Sequence, residues 1–328
     1  MLKLFKSKNP LVVIIYPIIA FAFLYFNPET CDVYSSTHHK PFIYKQLLHL
    51  IEGTYGHVLY IILSVIFLTA VAFFFNRLIR NLKIVKSFQN LHGFIFLLLT
   101  GFCIRFLDIL QISISVFFFL ITIALIIKSL RKDFALFDFF NAGLALSAAS
   151  FFRFQIIWFY PIIIIGLLVF RKLNFREILT SLIGLFLPYF FFFSIYFFVH
   201  SDFDIIYNTY QLIVTENTRF PLNLNLSVFG LLLIAILLIS VFHILRKYKS
   251  TESDIQDYYI FWFLLFLLAS AYLVFLHKND YSFIIIMMMS AAVPLGVYFS
   301  ETKRPLAKEI IFDLFLLAVI LSQFEFFT

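Results

Sequence analysis

The sequence predicts an all-α, polytopic integral membrane protein, and three observations lead to that fold class. Hydrophobic residues make up 62% of the 328 residues and charged residues only 13%, whereas about a quarter of a soluble domain is charged. The apolar residues are gathered into long runs, and lysine and arginine are concentrated in alternate gaps between those runs. A soluble globular enzyme is therefore excluded.

Eleven apolar runs follow one another along the chain, and each predicts one membrane-spanning helix. A spanning helix needs about 20 predominantly apolar residues, with roughly 17 to 25 tolerated. We expect a single transmembrane domain over residues 1–328, with its two termini on opposite sides of the membrane. The runs are Pro10–Phe26, His57–Phe75, Leu91–Ile104, Ile112–Ile127, Phe134–Phe152, Gln155–Phe170, Ile178–Val199, Leu224–Ile244, Tyr258–Leu276, Ser282–Phe299 and Ile310–Phe326.

Two pairs of runs require a turn inside a longer apolar stretch. Leu91–Ile127 would be about 55 Å long as one helix at 1.5 Å per residue, which exceeds a bilayer core. Its middle contains Arg105 and Asp108, so the chain is expected to turn there, as two full spans or as a re-entrant hairpin. Phe134–Phe170 has the same form, with Arg153 at its turn.

The distribution of the 25 lysines and arginines predicts the orientation. Positively charged residues are retained on the cytoplasmic side of short loops, so the N-terminus is expected in the cytoplasm and the C-terminus outside, in a bacterial inner membrane. The basic gaps are the segment before the first run, then Arg77–Lys86, Lys128–Lys132, Arg171–Arg176, Arg246–Lys249 and Lys303–Lys308. The other gaps hold only Lys40, Lys45, Arg105, Arg153, Arg219 and Lys278.

The same distribution predicts the partner class. The basic residues adjoin apolar runs and form no separate domain or stripe, so nucleic acid is not expected to bind. Membrane lipid is expected to be the partner.

Two of the outward gaps, residues 27–56 and 200–223, are long enough to contain a helix. Pro41–Glu52 places Ile43, Leu47, Leu50 and Ile51 at helical spacing, opposite polar residues. The second gap repeats the pattern from Phe203 to Ile213. Each pattern predicts an amphipathic helix that lies on the outer surface of the membrane.

Ionisable residues near the ends of spans are candidates for function, because charges at membrane depth are costly. Arg105 and Asp108 are spaced to share one helix face. They form either a local ion pair or a lipid-phosphate site in which Asp108 orients the Arg105 guanidinium. Arg153 either extends to the headgroups or binds phosphate in the same way. Lys278 belongs either to a solvated turn or to a diphosphate site.

Carboxylates in the first outward gap are candidates for acid–base chemistry. Glu29 and Asp32 are either solvated loop charges or a general base toward a hydroxyl acceptor. The Asp202-Phe203-Asp204 triplet and the adjacent His38 and His39 are weak metal motifs, and we predict no metal site.

The stretch from Gly143 to Pro188 resembles the type-C glycosyltransferases, polytopic enzymes that use polyprenyl-phosphate sugars. The shared layout is a small-residue helix, a positive charge at its outer end, a proline that opens the next span, a basic turn, and then glycine and proline in the following span. The matching residues are Gly143, Arg153, Pro161, Arg171-Lys172, Gly184 and Pro188. The phenylalanine-rich composition is also similar to that of uncharacterised membrane families of Bacteroidota.

The resemblance implies transfer of a sugar from a polyprenyl-phosphate donor to an acceptor at the outer face, without a metal or nucleotide cofactor. Its implied catalytic base is Asp32 or Glu29, which follow the first span as in that family. In this scheme the leaving phosphate is stabilised by Arg105, Arg153, Arg219 and Lys278. Two alternatives remain, namely a lipid or solute transporter or flippase, and a non-catalytic scaffold subunit.

Overall fold

The computed structural model describes residues 14–25, 41–51, 55–82, 84, 90–103, 108–130, 135–171, 174–200, 224–248, 251–276, 283–300 and 305–322. Every regular element within these ranges is a helix, which confirms the predicted all-α class. In chain order, the first half contains α1 (Ile15–Tyr25), α2 (Phe42–Ile51), α3 (Gly56–Asn81), α4 (Leu91–Cys103), α5 (Ile109–Ser129) and α6 (Leu136–Phe152). The second half contains a 3-10 helix (Phe154–Phe159), α7 (Pro161–Phe170), α8 (Phe175–His200), α9 (Leu224–Tyr248), α10 (Ser253–Leu276), α11 (Phe283–Ser300) and α12 (Pro305–Leu321).

Five helices in the described part of the chain are long and apolar enough to cross a membrane: α3, α5, α8, α10 and α11. Shorter apolar helices pack with them, including α1, α4 and α6. The 13 residues of α4 extend for about 20 Å, which is less than a full bilayer core. Multi-pass membrane character is thus supported by five helices, a smaller number than the eleven predicted spans.

Polar contacts define two opposite ends of the helical bundle. At the first, which we call the Asp108 end, the starts of α2, α3 and α5 meet the end of α6. At the other, the Lys128 end, Lys128 Nζ lies 3.9 Å from Asp138 Oδ1, between the last turn of α5 and the first turn of α6. Arg171, which follows α7, donates to the Ser129 carbonyl at 2.8 Å. The helices that carry these residues therefore run alternately between the two ends.

Helices α6 and α8 pack closely because each presents a glycine to the backbone of the other. A Cβ at Gly143 would overlap the Ser181 carbonyl oxygen, and a Cβ at Gly184 would overlap the Phe140 carbonyl oxygen. Small residues permit this close approach between helices in membranes. Within the stretch from Gly143 to Pro188, Gly143 and Gly184 thus have a packing role.

The chain between α6 and α7 is broken at Arg153, whose backbone is extended with φ −138° and ψ 102°. A 3-10 helix follows, and Pro161 then opens α7. Proline suits the first position of a helix because its missing N–H would have no partner inside the helix. The predicted turn at Arg153 is confirmed.

The short helix α2 confirms that the first outward gap contains a helix, and its position on the membrane surface stays a prediction. Tyr44, Leu48 and Ile51 are buried against the protein, and Leu50, which belongs to the predicted membrane-facing side, is 88% exposed. The buried side chains pack with Tyr60 and with residues of α5 in a separate apolar cluster. Contacts with α3 and α5 thus determine which side of α2 faces the protein. The second predicted surface helix lies outside the described residues.

Candidate functional site

Asp108 is the centre of a buried polar cluster at the Asp108 end of the bundle. The residue precedes α5, and its Oδ1 accepts from the backbone N–H of Gln111 at 3.2 Å. A carboxylate in this position caps the helix and satisfies a backbone donor that has no partner in the first turn. The side chain is 5% exposed. The cap therefore fixes the carboxylate in place inside the protein.

Two tyrosines from other helices donate to the same oxygen. Tyr44 of α2 and Tyr60 of α3 place their hydroxyls 2.7 and 2.9 Å from Asp108 Oδ1. Both tyrosines are fully buried. Burial raises the pKa of the Tyr44 hydroxyl above its ordinary value, and the neighbouring Asp108 carboxylate raises that pKa further. Tyr44 thus stays protonated and serves as a hydrogen-bond donor.

Gln111 connects this carboxylate to Arg153. Its side-chain amide donates to the Phe152 carbonyl at 2.7 Å, and its Oε1 accepts from Arg153 Nη1 at 2.9 Å. Gln111 is buried, and Arg153 is half-buried. The break after α6 and the buried amide together fix the direction of the guanidinium. We call Tyr44, Tyr60, Asp108, Gln111 and Arg153 the Asp108 cluster.

The geometry gives the two charged residues of the Asp108 cluster different chemical roles. Asp108 is buried and one of its oxygens accepts from three donors, so the carboxylate positions α2, α3 and α5. Arg153 lies nearer the surface, and its planar guanidinium has five N–H donors in a fixed arrangement that matches phosphate oxygens. Anion binding is therefore the chemistry that this cluster offers.

Of the predicted site residues, Arg153 lies within the described part of the chain, as does Asp108, which we predicted to orient Arg105. Glu29, Asp32, Arg105, Arg219 and Lys278 lie outside it, as do His38, His39, Asp202 and Asp204. Sequence reasoning also linked Asp108 to Arg105, and that link stays a prediction because Arg105 lies outside the described residues. The structure shows in addition that Asp108 accepts from two tyrosines and caps α5.

Tyr44, Tyr60 and Gln111 were missed as site residues. An Asp before an apolar run predicts a helix cap, and that pattern points to the first turn that contains Gln111. Nothing in the sequence links the two tyrosines to Asp108, because they lie 64 and 48 residues away from it.

A second buried polar group lies at the Lys128 end. Arg171 Nη2 lies 3.2 Å from Glu177 Oε1, and Glu177 is 3% exposed. The same guanidinium donates to the Ser129 carbonyl. Arg171 thus ties the end of α5 to the start of α8, and we assign this group a structural role.

Within the ranges that the structure describes, no three His, Cys, Asp or Glu side chains lie close enough together to hold a metal ion. No family model, curated protein or solved structure matches the chain.

Proposed function

We propose that the protein is a membrane glycosyltransferase that moves a sugar from a polyprenyl-phosphate donor to an acceptor at the Asp108 end of the bundle. The observation that carries this proposal is the arginine held by Gln111 at the break between α6 and the 3-10 helix. A positioned guanidinium at the headgroup level suits the phosphate of a lipid-linked donor.

The proposed step breaks one bond and forms another at the anomeric carbon of the sugar. The acceptor hydroxyl oxygen attacks that carbon while Asp32 or Glu29 removes the hydroxyl proton. The bond from the carbon to the phosphate oxygen breaks, and its electron pair leaves with the polyprenyl phosphate. Arg153, with Arg105, Arg219 and Lys278, stabilises the charge that develops on this leaving group.

The proposal includes a membrane arrangement. Eleven spans place the Asp108 end outside and the Lys128 end in the cytoplasm. The contacts that support this arrangement are those that gather Lys128 and Arg171 at one end and Arg153 at the other. The positive-inside rule then assigns the sides.

The test is a transfer assay with purified full-length protein and a lipid extract that contains polyprenyl-phosphate sugars. We expect Arg153→Ala to lower the rate of product formation about 100-fold, as loss of one charge-stabilising donor does in other enzymes. Arg153→Lys should retain part of the rate, because it keeps the charge and loses the planar geometry. Arg176→Ala is the matched control, since Arg176 is an exposed arginine at the start of α8, at the opposite end.

A double variant tests the assignment of the catalytic base. Asp32→Asn combined with Glu29→Gln should abolish product while the protein level and helical content are retained. Normal turnover in this double variant would contradict the catalytic assignment. Movement of lipid across proteoliposomes without any covalent product would favour the flippase alternative instead, and absence of both activities would favour the scaffold.

A further inference from the structure

A cavity of about 590 Å³ opens at the Lys128 end, between the last turns of α3 and α5 and the first turns of α10. Its size is within the range of about 300 to 1,000 Å³ that is usual for small-molecule sites. The cavity lies at the opposite end of the bundle from Arg153. It therefore plays no part in the transfer site proposed above.

Three positively charged side chains converge on this cavity. Arg77 and Arg80 extend from α3 and Lys128 extends from α5, and all three are exposed. None of the described residues that line the cavity is acidic. Lys128 lies 3.9 Å from the Asp138 carboxylate, which offsets part of its charge. In the described part of the chain, neither Arg77 nor Arg80 forms an ion pair.

General rules explain some of this charge but not its convergence. Positive residues collect on the cytoplasmic side of membrane proteins, and a cation near a helix C-terminus offsets the helix dipole. Arg80 and Lys128 are both in the last turn of their helices. Neither rule requires the positively charged side chains to point toward one another, because cations that point apart into solvent would satisfy both. Here two arginines without an acidic partner face one concave surface together with a lysine.

The remaining walls are apolar on the side that continues toward the middle of the bundle. Phe74 lies one turn before Arg77 in α3, and Ala124 and Ile127 lie beside Lys128 in α5. The cavity thus has cations at its mouth and apolar side chains further along the helices. A lipid has this same order, with a phosphate at the surface and an acyl chain below it.

We propose that the Arg77–Arg80 cavity binds the phosphate of an anionic membrane lipid, whose acyl chain lies against Phe74 and Ala124. Guanidinium groups suit phosphate because their N–H donors match pairs of phosphate oxygens. Basic pockets between membrane helices on the cytoplasmic side bind anionic headgroups in this way. A soluble phosphate presents the same oxygens, but it leaves the apolar walls without a contact.

The test uses the purified full-length protein and mixed micelles that contain phosphatidylglycerol, with affinity measured by native mass spectrometry. Replacing both arginines, Arg77→Gln with Arg80→Gln, should weaken lipid binding about 30-fold, since each cation near an anionic surface contributes roughly a fivefold gain in affinity. Arg77→Lys with Arg80→Lys should retain most of the affinity. Circular dichroism checks that all variants keep their helical content.

The matched control replaces two exposed arginines that do not line the cavity, Arg176→Gln with Arg246→Gln, so that the net charge is equal in both double variants. We expect its affinity to stay near that of the unchanged protein. Equal losses in the two double variants would overturn the site, because they would show general charge attraction. Unchanged binding in the Arg77/Arg80 glutamine variant would overturn it as well.

Competition with inorganic phosphate distinguishes a lipid headgroup from a soluble phosphate compound as the ligand of the cavity. We expect millimolar phosphate to leave lipid binding unchanged at constant ionic strength. Full displacement of the lipid by inorganic phosphate would overturn the lipid assignment and make the cavity a site for a soluble phosphate compound.

Discussion

At the scale of single residues, Asp108 is the centre of the Asp108 cluster, because one of its oxygens accepts hydrogen bonds from three donors. Tyr44 and Tyr60 are fully buried, and the hydroxyl of each donates to the same carboxylate oxygen. A buried polar group that loses its partner destabilises a protein by about 1 to 3 kcal/mol. Asp108 therefore stabilises three helices through one atom.

We predict that Asp108→Ala lowers the free energy of unfolding by about 3 kcal/mol or more. The substitution removes the carboxylate oxygen to which two buried hydroxyls donate, and it removes the cap of α5, which by itself contributes about 1 kcal/mol. Chemical unfolding in mixed micelles, followed by circular dichroism, measures the change. Asp108→Asn should have a smaller effect, because asparagine keeps a side-chain oxygen and is also a good cap.

A rescue experiment isolates the contribution of the tyrosines. Adding Tyr44→Phe and Tyr60→Phe to Asp108→Ala removes the two buried hydroxyls that donated to this carboxylate, so the triple variant should be more stable than Asp108→Ala alone. If the triple variant is less stable, the two hydroxyls do not depend on this carboxylate.

At the scale of secondary structure elements, the contact between α6 and α8 depends on two glycines. Each glycine faces the backbone of the other helix, and a backbone carbonyl cannot move aside as the end of a flexible side chain can. We predict that Gly143→Ala and Gly184→Ala each destabilise the protein by about 1 to 3 kcal/mol, as overpacked substitutions do. Thermal unfolding in detergent measures the loss.

Gly230 in α9 provides the control for this prediction. A Cβ at Gly230 would lie 3.9 Å from the ring of Phe102, which is an ordinary contact. Alanine exceeds glycine in helix propensity by about 1 kcal/mol, so Gly230→Ala should leave stability unchanged or raise it. Equal effects at Gly143 and Gly230 would contradict the close packing of α6 and α8.

Sequence patterns predicted the positions of the helices better than the contacts between them. Apolar runs located the helices, and the charged residue Arg153 correctly marked a turn. The side of α2 that faces the protein was not predicted, because it depends on packing against α3 and α5. The link from Asp108 to Tyr44 was not predictable, since no local pattern joins residues 64 positions apart. Helix identity is a local property, whereas the candidate site is built from distant parts of the chain.

At the scale of the whole molecule, the two ends of the bundle differ in chemistry. The Asp108 end holds one positioned arginine in a buried polar cluster. The Lys128 end holds a buried ion pair between Arg171 and Glu177 and the basic Arg77–Arg80 cavity. We thus propose phosphate binding at both ends, with a polyprenyl-phosphate sugar at the Asp108 end and an anionic membrane lipid at the Lys128 end.

We predict that cysteine labelling will place these ends on opposite sides of the membrane. In a background with Cys31→Ser and Cys103→Ser, Lys45→Cys should react with a membrane-impermeant thiol reagent in intact cells, because Lys45 is exposed on α2. Arg176→Cys should react only after the membrane is permeabilised. Labelling of both positions in intact cells, or the reverse pattern, would contradict the proposed orientation.

The bond between Tyr44 and Asp108 also has a consequence for the order of events during synthesis. Tyr44 emerges from the ribosome 64 residues before the carboxylate that it contacts. The Tyr44–Asp108 bond therefore cannot form before α3 and α4, which lie between the two residues in the chain, have been synthesised. Complete attachment of α2 thus follows the placement of α3 and α4, because the bond forms only when the start of α5 lies at the same end of the bundle as α2.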